Sequence, residues 1–321
     1  MISKSLLNGH QALWLENDML RLAVLPEKGA DIPLIYHQPS RVQFLMQTPS
    51  GLRPPSSGPP ADFLENYEGG WQELFPNANE ACEVKEKSLP FHGEVALLPW
   101  DYQITGENEL HLSVNCIQTP FRLERRMRLV GNVLMLESMA TNQGAEEWPF
   151  VWGHHIVLGG DFLEDGCRLQ MPAGTIVTPD VLAEPATARL AEKQSSSWPQ
   201  AMGRMCGEIF DLREIPGPEA CSHDDAFVTG FAMGHLDVTN TRLNLRFHLD
   251  WNAALFPWVV LWQPFGGADL PPLTGIYGLG IEPWMSRYNL AEALAAKQAR
   301  SLAPGQSIST NWSVKIEQVL G

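Results

Sequence analysis

Hydrophobic and polar residues alternate with period two along several segments of the chain, a pattern that indicates β-strands with one buried face. In the segment LNLRFHLDWN, residues 243 to 252, the apolar side chains share one face and His248 is predicted to face solvent on the other. The segment SISTNWSVKIEQ, residues 307 to 318, alternates in the same way. These patterns predict that the C-terminal part of the chain lies in a sheet.

Two longer alternating segments, FRLERRMRLV and VLMLESMATN, flank the dipeptide Gly131-Asn132. Glycine and asparagine adopt the positive φ angles that a tight turn needs, so we expect a hairpin of two long strands here. The 25 prolines and 27 glycines are distributed as turn punctuation between such segments. Together these features predict an all-β fold, a large antiparallel β-sandwich with few short helices, formed as a single domain over residues 1–321.

Helix signals are few. The best is NLAEALAAKQARSL, residues 289 to 302, in which Asn289 is a candidate N-cap and Glu292 stands at the reciprocal capping position. Two proline- and glycine-rich stretches, residues 48 to 63 and 263 to 278, are predicted to be long ordered loops. Long loops in compact domains are often functional, so these two are expected to shape a binding site.

Composition and charge exclude several classes of protein. Hydrophobic residues make up 44% of the chain and charged residues 18%, as in an ordinary globular protein. Acidic residues exceed basic residues by 37 to 22, and the resulting net charge of −15 repels phosphate backbones and anionic lipid surfaces. The N-terminal segment lacks the pattern of a signal peptide, and no apolar run is long enough for a transmembrane helix. We therefore expect neither a nucleic-acid partner nor a membrane partner.

The cysteines and the known short motifs add further exclusions. Five cysteines lie at wide intervals without a Cys-x-x-Cys pair, which favours reduced thiols and a cytoplasmic location. The chain has no His-Glu-x-x-His motif and no cysteine cluster, so no metal site is expected. It also has no nucleotide-binding fingerprint, so no cofactor is expected. The cysteines are Cys82, Cys116, Cys167, Cys206 and Cys221.

The segment WGHHIVLGG, residues 152 to 160, contains two neighbouring histidines in a predicted strand. Successive side chains of a strand point to opposite faces, so His154 and His155 cannot both enter one pocket or bind one metal ion. Each histidine alone has a structural interpretation as a core residue. A catalytic interpretation needs partners from elsewhere in the chain.

Three other segments supply candidate partners. LPFHGE contains His92, CSHDDAFV contains Asp224 and Asp225, and YGLGIEPW contains Glu282. The apolar residues around Glu282 predict that it is buried, and burial of a carboxylate is costly unless it has a partner. Either a partner satisfies this carboxylate or the site uses its raised basicity.

Five segments in this order resemble the galactose mutarotase-like family, the aldose 1-epimerases. They are ELFPN after a Gly-Gly pair, LPFHG, the aromatic-Gly-His-His segment, DDAF and LGIEPW, and they span most of the chain. The resemblance implies a β-sandwich and an isomerase that interconverts the α and β anomers of a free aldose or a related sugar. It implies no cofactor, and a small-molecule sugar as the partner of a monomer or homodimer.

The resemblance also assigns roles to individual residues. Glu282 matches the general base of the family and His155 the general acid, while His92 matches a histidine that contacts the sugar. Asp224 matches an aspartate that holds sugar hydroxyls, although a register shift of one residue would exchange it for Asp225. His154 is then expected on the other face of the strand or at the rim of the pocket.

Aromatic residues near these motifs are candidate platforms for the apolar face of a sugar ring. Trp71, Trp152 and Trp262 are assigned to the site on this basis, although each is equally suited to the core. The chain departs from sugar-phosphate relatives because no arginine follows His92-Gly93 closely. Arg53, in the loop at 48 to 63, could replace that arginine or could simply be solvated.

The predicted reaction needs one acid and one base, since the C1 hydroxyl loses a proton while the ring oxygen gains one. A glutamate and a histidine form a suitable pair near neutral pH. Two other interpretations remain open from the sequence. One is a carbohydrate-binding or sensing protein that has discarded catalysis, and the other is a different sugar isomerase or epimerase on the same fold.

Overall fold

The structure is a computed structural model that describes residues 1–56, 58 and 62–319. These residues form 26 strands, two short α-helices and two 3-10 turns, Val95–Leu97 and Pro218–Ala220. In chain order the elements are β1 Ile2–Leu7, β2 His10–Glu16, β3 Leu20–Leu25, β4 Asp31–His37, β5 Val42–Gln43, α1 Phe63–Asn66, β6 Trp71–Leu74, β7 Cys82–Val84, β8 Lys87–Leu89, β9 Asp101–Gly106, β10 Glu109–Asn115, β11 Phe121–Val130, β12 Val133–Asn142, β13 Trp148–Phe150, β14 Gly153–Leu158, β15 Arg168–Gln170, β16 Thr175–Val177, β17 Ser195–Ser197, β18 Gln200–Met202, β19 Ile209–Asp211, β20 Ser222–Thr229, β21 Gly234–Asn240, β22 Leu245–Trp251, β23 Trp258–Phe265, β24 Leu279–Trp284, α2 Leu290–Ala295, β25 Arg300–Leu302 and β26 Ser307–Gln318.

Two large antiparallel sheets form the body of the described molecule. The larger sheet has 12 strands in the order β1-β2-β3-β4-β6-β14-β24-β23-β20-β16-β17, with β5 paired to β4. The second sheet has eight strands in the order β15-β21-β22-β26-β12-β11-β10-β9. Three two-stranded ladders lie outside these two sheets, namely β7-β8, β13-β25 and β18-β19.

The main hydrophobic core lies between the two large sheets. Ile156 of β14 and Ile281 of β24 belong to the same buried cluster as Phe247 and Trp312 of the second sheet. Phe247 and Trp312 come from the apolar faces of alternating strands, whereas β14 and β24, which carry Ile156 and Ile281, are buried on both faces. The predicted all-β sandwich is confirmed.

The predicted hairpin and the predicted C-terminal strand are also confirmed. β11 pairs with β12 in continuous register from Phe121 with Asn142 to Val130 with Val133. Gly131 at the turn has a φ of +56°, which a residue without a side chain adopts readily. β26 inserts between β12 and β22, so the C-terminal strand occupies the centre of the second sheet.

The predicted helix is shorter than its sequence pattern. The Asn289 side chain accepts a hydrogen bond from the Glu292 backbone amide, as expected of an N-cap, but α2 ends at Ala295. Lys297 then has a φ of +58°, which reverses the chain. The residues that follow pair as β25 with β13, so strand pairing overrides helix propensity after the second turn.

The two predicted loops flank the larger sheet. Residues 49–56, 58 and 62 are irregular and lead into α1, while residues 57 and 59–61 of this predicted loop lie outside the described part of the chain. In the second loop, residues 263–265 belong to β23, and residues 266–278 are irregular apart from isolated bridges. Neither α-helix of the described residues has the length and hydrophobicity needed to cross a membrane.

Candidate active site

The central strands of the larger sheet bring His155 and Glu282 into contact. β14 and β24 are antiparallel and pair Val157 with Gly280, and the same register sets His155 opposite Glu282. His155 Nε2 lies 3.7 Å from Glu282 Oε1. Both side chains are buried, with 7% and 1% of their surface exposed. Two residues 127 positions apart in sequence therefore form one pair.

This pair lies on the face of the larger sheet that is turned away from the second sheet. The neighbouring residues Ile156 and Ile281 point the opposite way, into the main core. We call the face that carries His155 and Glu282 the site face. A separate apolar cluster, which includes Val260 of β23, covers part of it.

Burial shifts the pKa values of the pair in opposite directions. Desolvation raises the pKa of Glu282 well above its ordinary value, and the negative charge of Asp225 raises it further, while the Trp284 indole opposes the shift. Desolvation lowers the pKa of His155 to about 3. Both shifts favour the neutral form, so burial favours a proton on Glu282 and a free lone pair on His155.

His92 reaches the site face from the loop between β8 and β9. Its ring centroid lies 5.5 Å from that of His155. Burial, with the nearby His155, lowers the pKa of His92 well below its ordinary value, so the ring is neutral. The Asn79 backbone amide donates to His92 Nδ1 at 3.1 Å, and the hydrogen of the neutral ring is therefore on Nε2. The predicted sugar-contacting histidine is thus placed beside the pair as a hydrogen-bond donor.

Of the two neighbouring aspartates, Asp225 lies on the site face and Asp224 does not. β20 pairs Asp225 with Trp262 and Phe227 with Val260, and these are the residues of β23 that share the side of Glu282. Burial raises the pKa of Asp225, and Asp224 adds to the shift. Asp224, the residue assigned from the resemblance, is thus off the site face and its alternative Asp225 is on it, because strand alternation reverses the face at each residue.

Asp224 instead holds a segment beneath the sheet. It accepts hydrogen bonds from the Arg189 and Leu190 backbone amides, and Arg189 Nε donates to its Oδ2 at 2.6 Å. Arg189 and Gln263 line a cavity of about 490 Å³ at the edge of the sandwich. The bonds from Arg189 and Leu190 hold the Asp224 carboxylate on the side of the sheet opposite the site face.

Three other residues predicted for the site lie in the core. His154, Trp152 and Trp71 are at most 1% exposed. Trp71 Nε1 donates to His154 Nδ1 at 2.8 Å, and Trp152 Nε1 donates to Glu73 Oε1 at 2.9 Å. Strand alternation turns all three side chains toward the second sheet, so their predicted contact with a sugar is corrected to a structural role.

Glu73 is the centre of a buried polar network between the sheets. Its Oε2 accepts hydrogen bonds from Arg125 Nε at 2.8 Å and Nη2 at 2.5 Å, and Arg125 Nη1 donates to the Ala30 carbonyl. His154 Nε2 lies 3.7 Å from Glu73 Oε1. Arg125 holds the pKa of Glu73 below its ordinary value although burial acts in the opposite direction. The network joins β6 of the larger sheet to β11 of the second sheet.

Trp262, the remaining predicted tryptophan, does lie on the site face. Its Nε1 donates to His223 Nε2 at 2.6 Å, and since an indole can only donate, the hydrogen of a neutral His223 ring is on Nδ1. That Nδ1 is buried and has no hydrogen-bond partner among the described residues. The Trp262 ring centroid lies 5.6 Å from that of His155.

Two aromatic residues at the end of the first loop, Phe63 of α1 and Tyr67 directly after α1, cover one side of the pair. The ring centroids of Phe63 and Tyr67 lie 5.7 and 5.1 Å from that of His155. Arg53 of the same loop donates from Nε to Glu68 Oε1 at 2.6 Å. Its guanidinium is thus engaged with the loop, and the predicted contact of Arg53 with the substrate stays a prediction.

His223, Phe63 and Tyr67 were not predicted as site residues. For His223 the signal was present, since period two in SHDDAF places it on the same face as Asp225 and Phe227. No local pattern identified Phe63 or Tyr67, because they reach the site from an irregular segment and a four-residue helix.

One group of described residues has the spacing of metal ligands, and it lies far from this site. His235 and Asp237 of β21 and His248 of β22 face outward from the second sheet. Both ring nitrogens of each histidine face a carboxylate oxygen, from Asp237 and either Asp250 or Glu317. This arrangement is a network of histidine and carboxylate contacts, and it shows that His248 faces outward as predicted but with carboxylate partners.

Comparison with known proteins places the chain in a family. The model of a domain of unknown function, DUF4432, matches residues 7–316. No curated protein sequence matches the chain. Among solved structures, the Slr1438 protein from Synechocystis sp. PCC 6803 is 20% identical with a TM-score of 0.70, and the match covers 98% of this chain and 99% of that one.

Two further structures carry names that refer to sugar chemistry. A candidate aldose 1-epimerase from Escherichia coli K12 is 17% identical, with a TM-score of 0.66 over 99% of this chain and 100% of that one. A galactose mutarotase-like protein from Lactobacillus casei is 13% identical, with a TM-score of 0.65 over 95% of this chain and 100% of that one. The chain therefore belongs to the DUF4432 family of domains of unknown function, and it has the fold of the galactose mutarotase-like proteins.

Proposed function

We propose that the protein is a mutarotase-like isomerase that interconverts the α and β anomers of a free aldose or a related sugar. The observation that carries this proposal is the buried contact between His155 and Glu282, 3.7 Å apart. A fold alone does not determine function. A histidine and a carboxyl in one contact, however, supply the two proton-transfer groups that anomer exchange needs.

The reaction is a balanced pair of proton transfers. A base takes the proton of the C1 hydroxyl, the bond from C1 to the ring oxygen breaks, and an acid gives a proton to that oxygen. Rotation about the bond between C1 and C2 turns the other face of the aldehyde to the hydroxyl, and reclosure reverses both transfers. The acid and the base return to their starting states, so the scheme consumes no cofactor and no second reactant.

The starting location of the proton favours roles opposite to those that the sequence predicted. A general base Glu282 and a general acid His155 would require the proton on the histidine. Burial and Asp225 favour it on Glu282, while burial keeps His155 neutral. We therefore assign the proton for the ring oxygen to Glu282 and the removal of the C1 hydroxyl proton to His155.

Neighbouring groups on the site face can orient the sugar. His92 Nε2 and His223 Nδ1 are donors, and the Asp225 carboxyl accepts from hydroxyl groups or, when protonated, also donates to them. Trp262 is half-buried and offers a flat apolar surface next to these groups. This combination of hydrogen-bonding groups and an aromatic ring suits one pyranose better than a larger ligand.

The proposed setting is the cytoplasm. All five cysteines, which lie among the described residues, have free thiols, and reduced thiols suit a reducing compartment. The partner in this proposal is a small-molecule sugar.

The proposal is tested by exchange NMR on a panel of aldoses, with sugar binding measured on the same samples by titration calorimetry. The unaltered protein is expected to accelerate anomer exchange of at least one sugar at catalytic concentrations. If sugars bind and no exchange is accelerated, the proposal is wrong and the protein is a carbohydrate-binding module on this fold.

A further inference from the structure

Arg287, three residues after β24, lies on the site face without a carboxylate partner among the described residues. Its guanidinium carbon is 4.6 Å from the ring centroid of Tyr288 and 5.8 Å from those of Phe227 and Trp258. One of its nitrogens, Nη2, donates to the Tyr288 hydroxyl at 2.6 Å. The protein as a whole has a net charge of −15. An arginine that packs on three aromatic rings keeps most of its N–H donors for another ligand.

The register of the sheet sets Arg287 across the site from His155. Phe227 pairs with Val260, and Val260 pairs with Glu282, so these three side chains form one row on the site face. Arg287 lies over the Phe227 end of that row, and His155 continues it beyond Glu282.

Small residues form the surface between the two ends of this row. Next to Glu282 stand Gly280, which has no side chain, and Val260, which has a small one. A Cβ added to Gly280 would approach Glu282 Oε1 to 2.6 Å, so the carboxyl lies directly against this glycine. Half-buried Trp258 and Trp262 flank this surface on β23. A sugar ring on this surface has the proton-transfer pair at one end and Arg287 at the other.

The position of Arg287 is fixed by its neighbours. Asn79 Nδ2 donates to the Arg287 carbonyl at 3.0 Å, and Asn77 Oδ1 accepts from the Leu290 amide at 2.8 Å. These bonds tie the segment after β24 to the loop that leads to His92. An arginine held in this way loses little freedom when it binds a ligand, which favours a role in recognition.

From this arrangement we propose that the sugar substrate is anionic and that Arg287 binds its carboxylate or phosphate, at the end of the sugar remote from C1. A guanidinium matches either anion with two parallel hydrogen bonds. This inference rests on the proposed function, because it deepens the account of the same site. The carboxyl groups on the site face, Glu282 and Asp225, do not attract an anion, so Arg287 supplies the positive charge that such a substrate needs.

The test compares three sugars of one configuration, glucose, glucuronate and glucose 6-phosphate, and the corresponding galactose series. The unaltered protein should exchange one of the anionic classes with a kcat/KM at least about 10-fold above that of the neutral sugar. Arg287→Gln should remove this preference through a loss of about 10- to 100-fold for the anion, with the neutral sugar changed by less than about threefold. The anionic sugar that is exchanged faster, the uronate or the phosphate, identifies the anion that Arg287 binds.

Arg128→Gln is the matched control, because Arg128 is an exposed arginine on β11 of the other sheet. Arg287→Lys keeps the charge and should retain part of the preference, which guards against a Gln variant that fails to fold. The inference is overturned if neutral sugars are exchanged as fast as anionic ones, or if Arg287→Gln slows both classes equally.

Failure of the proposed function gives a different result. In that case no sugar is exchanged faster, but calorimetry still measures binding of glucuronate and glucose 6-phosphate. Binding that is lost in Arg287→Gln and kept in Arg128→Gln supports the anion site without catalysis. Absence of binding by every anionic sugar overturns it.

Discussion

Replacement of Glu282 by glutamine should slow anomer exchange by roughly 10²- to 10⁴-fold, the contribution of one positioned proton-transfer group. The amide has nearly the shape of the carboxyl but cannot transfer a proton. Because burial already disfavours the charged carboxylate, the neutral amide should not lower the free energy of unfolding at pH 7. Exchange NMR and urea unfolding of the same samples separate a loss of rate from a loss of structure.

Asp225→Asn tests the assigned roles through the pH dependence of the exchange rate. In the unaltered protein the rate should be level above the low pKa of His155 and should fall as pH rises through the raised pKa of Glu282. Asp225 contributes to that raised pKa by charge repulsion, so Asp225→Asn should move the fall to lower pH. If the variant His155→Asn has a residual rate that rises with pH, Glu282 acts as a base and the assigned roles are wrong.

Replacement of Arg125 by methionine should lower the free energy of unfolding by about 3–5 kcal/mol, because it leaves the Glu73 carboxylate buried without its cation. Both side chains are at most 2% exposed, and Arg125 makes three hydrogen bonds, two of them to Glu73. Urea unfolding followed by tryptophan fluorescence measures the loss. The reaction site is on the opposite face of the larger sheet, so the folded fraction should keep its rate.

The double variant Arg125→Met with Glu73→Gln tests the cause of that loss. Removal of the charge on Glu73 should recover a large part of the stability, since the cost comes from an unpaired buried charge rather than from lost packing. A double variant that is less stable than Arg125→Met would show that packing of the arginine is the main contribution.

Period-two patterning was sufficient to predict strands such as β22 and β26, which have one buried face, whereas β14 and β24 are buried on both faces. The same rule predicted that His154 and His155 point to opposite sides of β14, and the structure places one in the core and the other beside Glu282. Glu282 was predicted to be buried from its apolar neighbours, and it is 1% exposed. Local sequence therefore contained the face and the burial of these residues.

Spacing alone was insufficient for the choice between the aspartates. A distance of three residues from Phe227 favoured Asp224, whereas the pleat places Phe227 and Asp225 on one face. Phe63 and Arg287 could not be predicted because both come from segments outside the large sheets. Their contacts depend on where those segments fold back onto the site face, which tertiary packing decides.

The most direct test of the reaction site is the anomer-exchange rate of His155→Asn measured beside that of His154→Asn. The two variants change neighbouring residues in the same way but on opposite faces of β14. The account predicts that His155→Asn stays folded and loses most of the exchange rate, while His154→Asn loses stability and its folded fraction keeps the rate. If folded His154→Asn loses the rate, or if His155→Asn retains it, the reaction does not take place at the His155 and Glu282 pair.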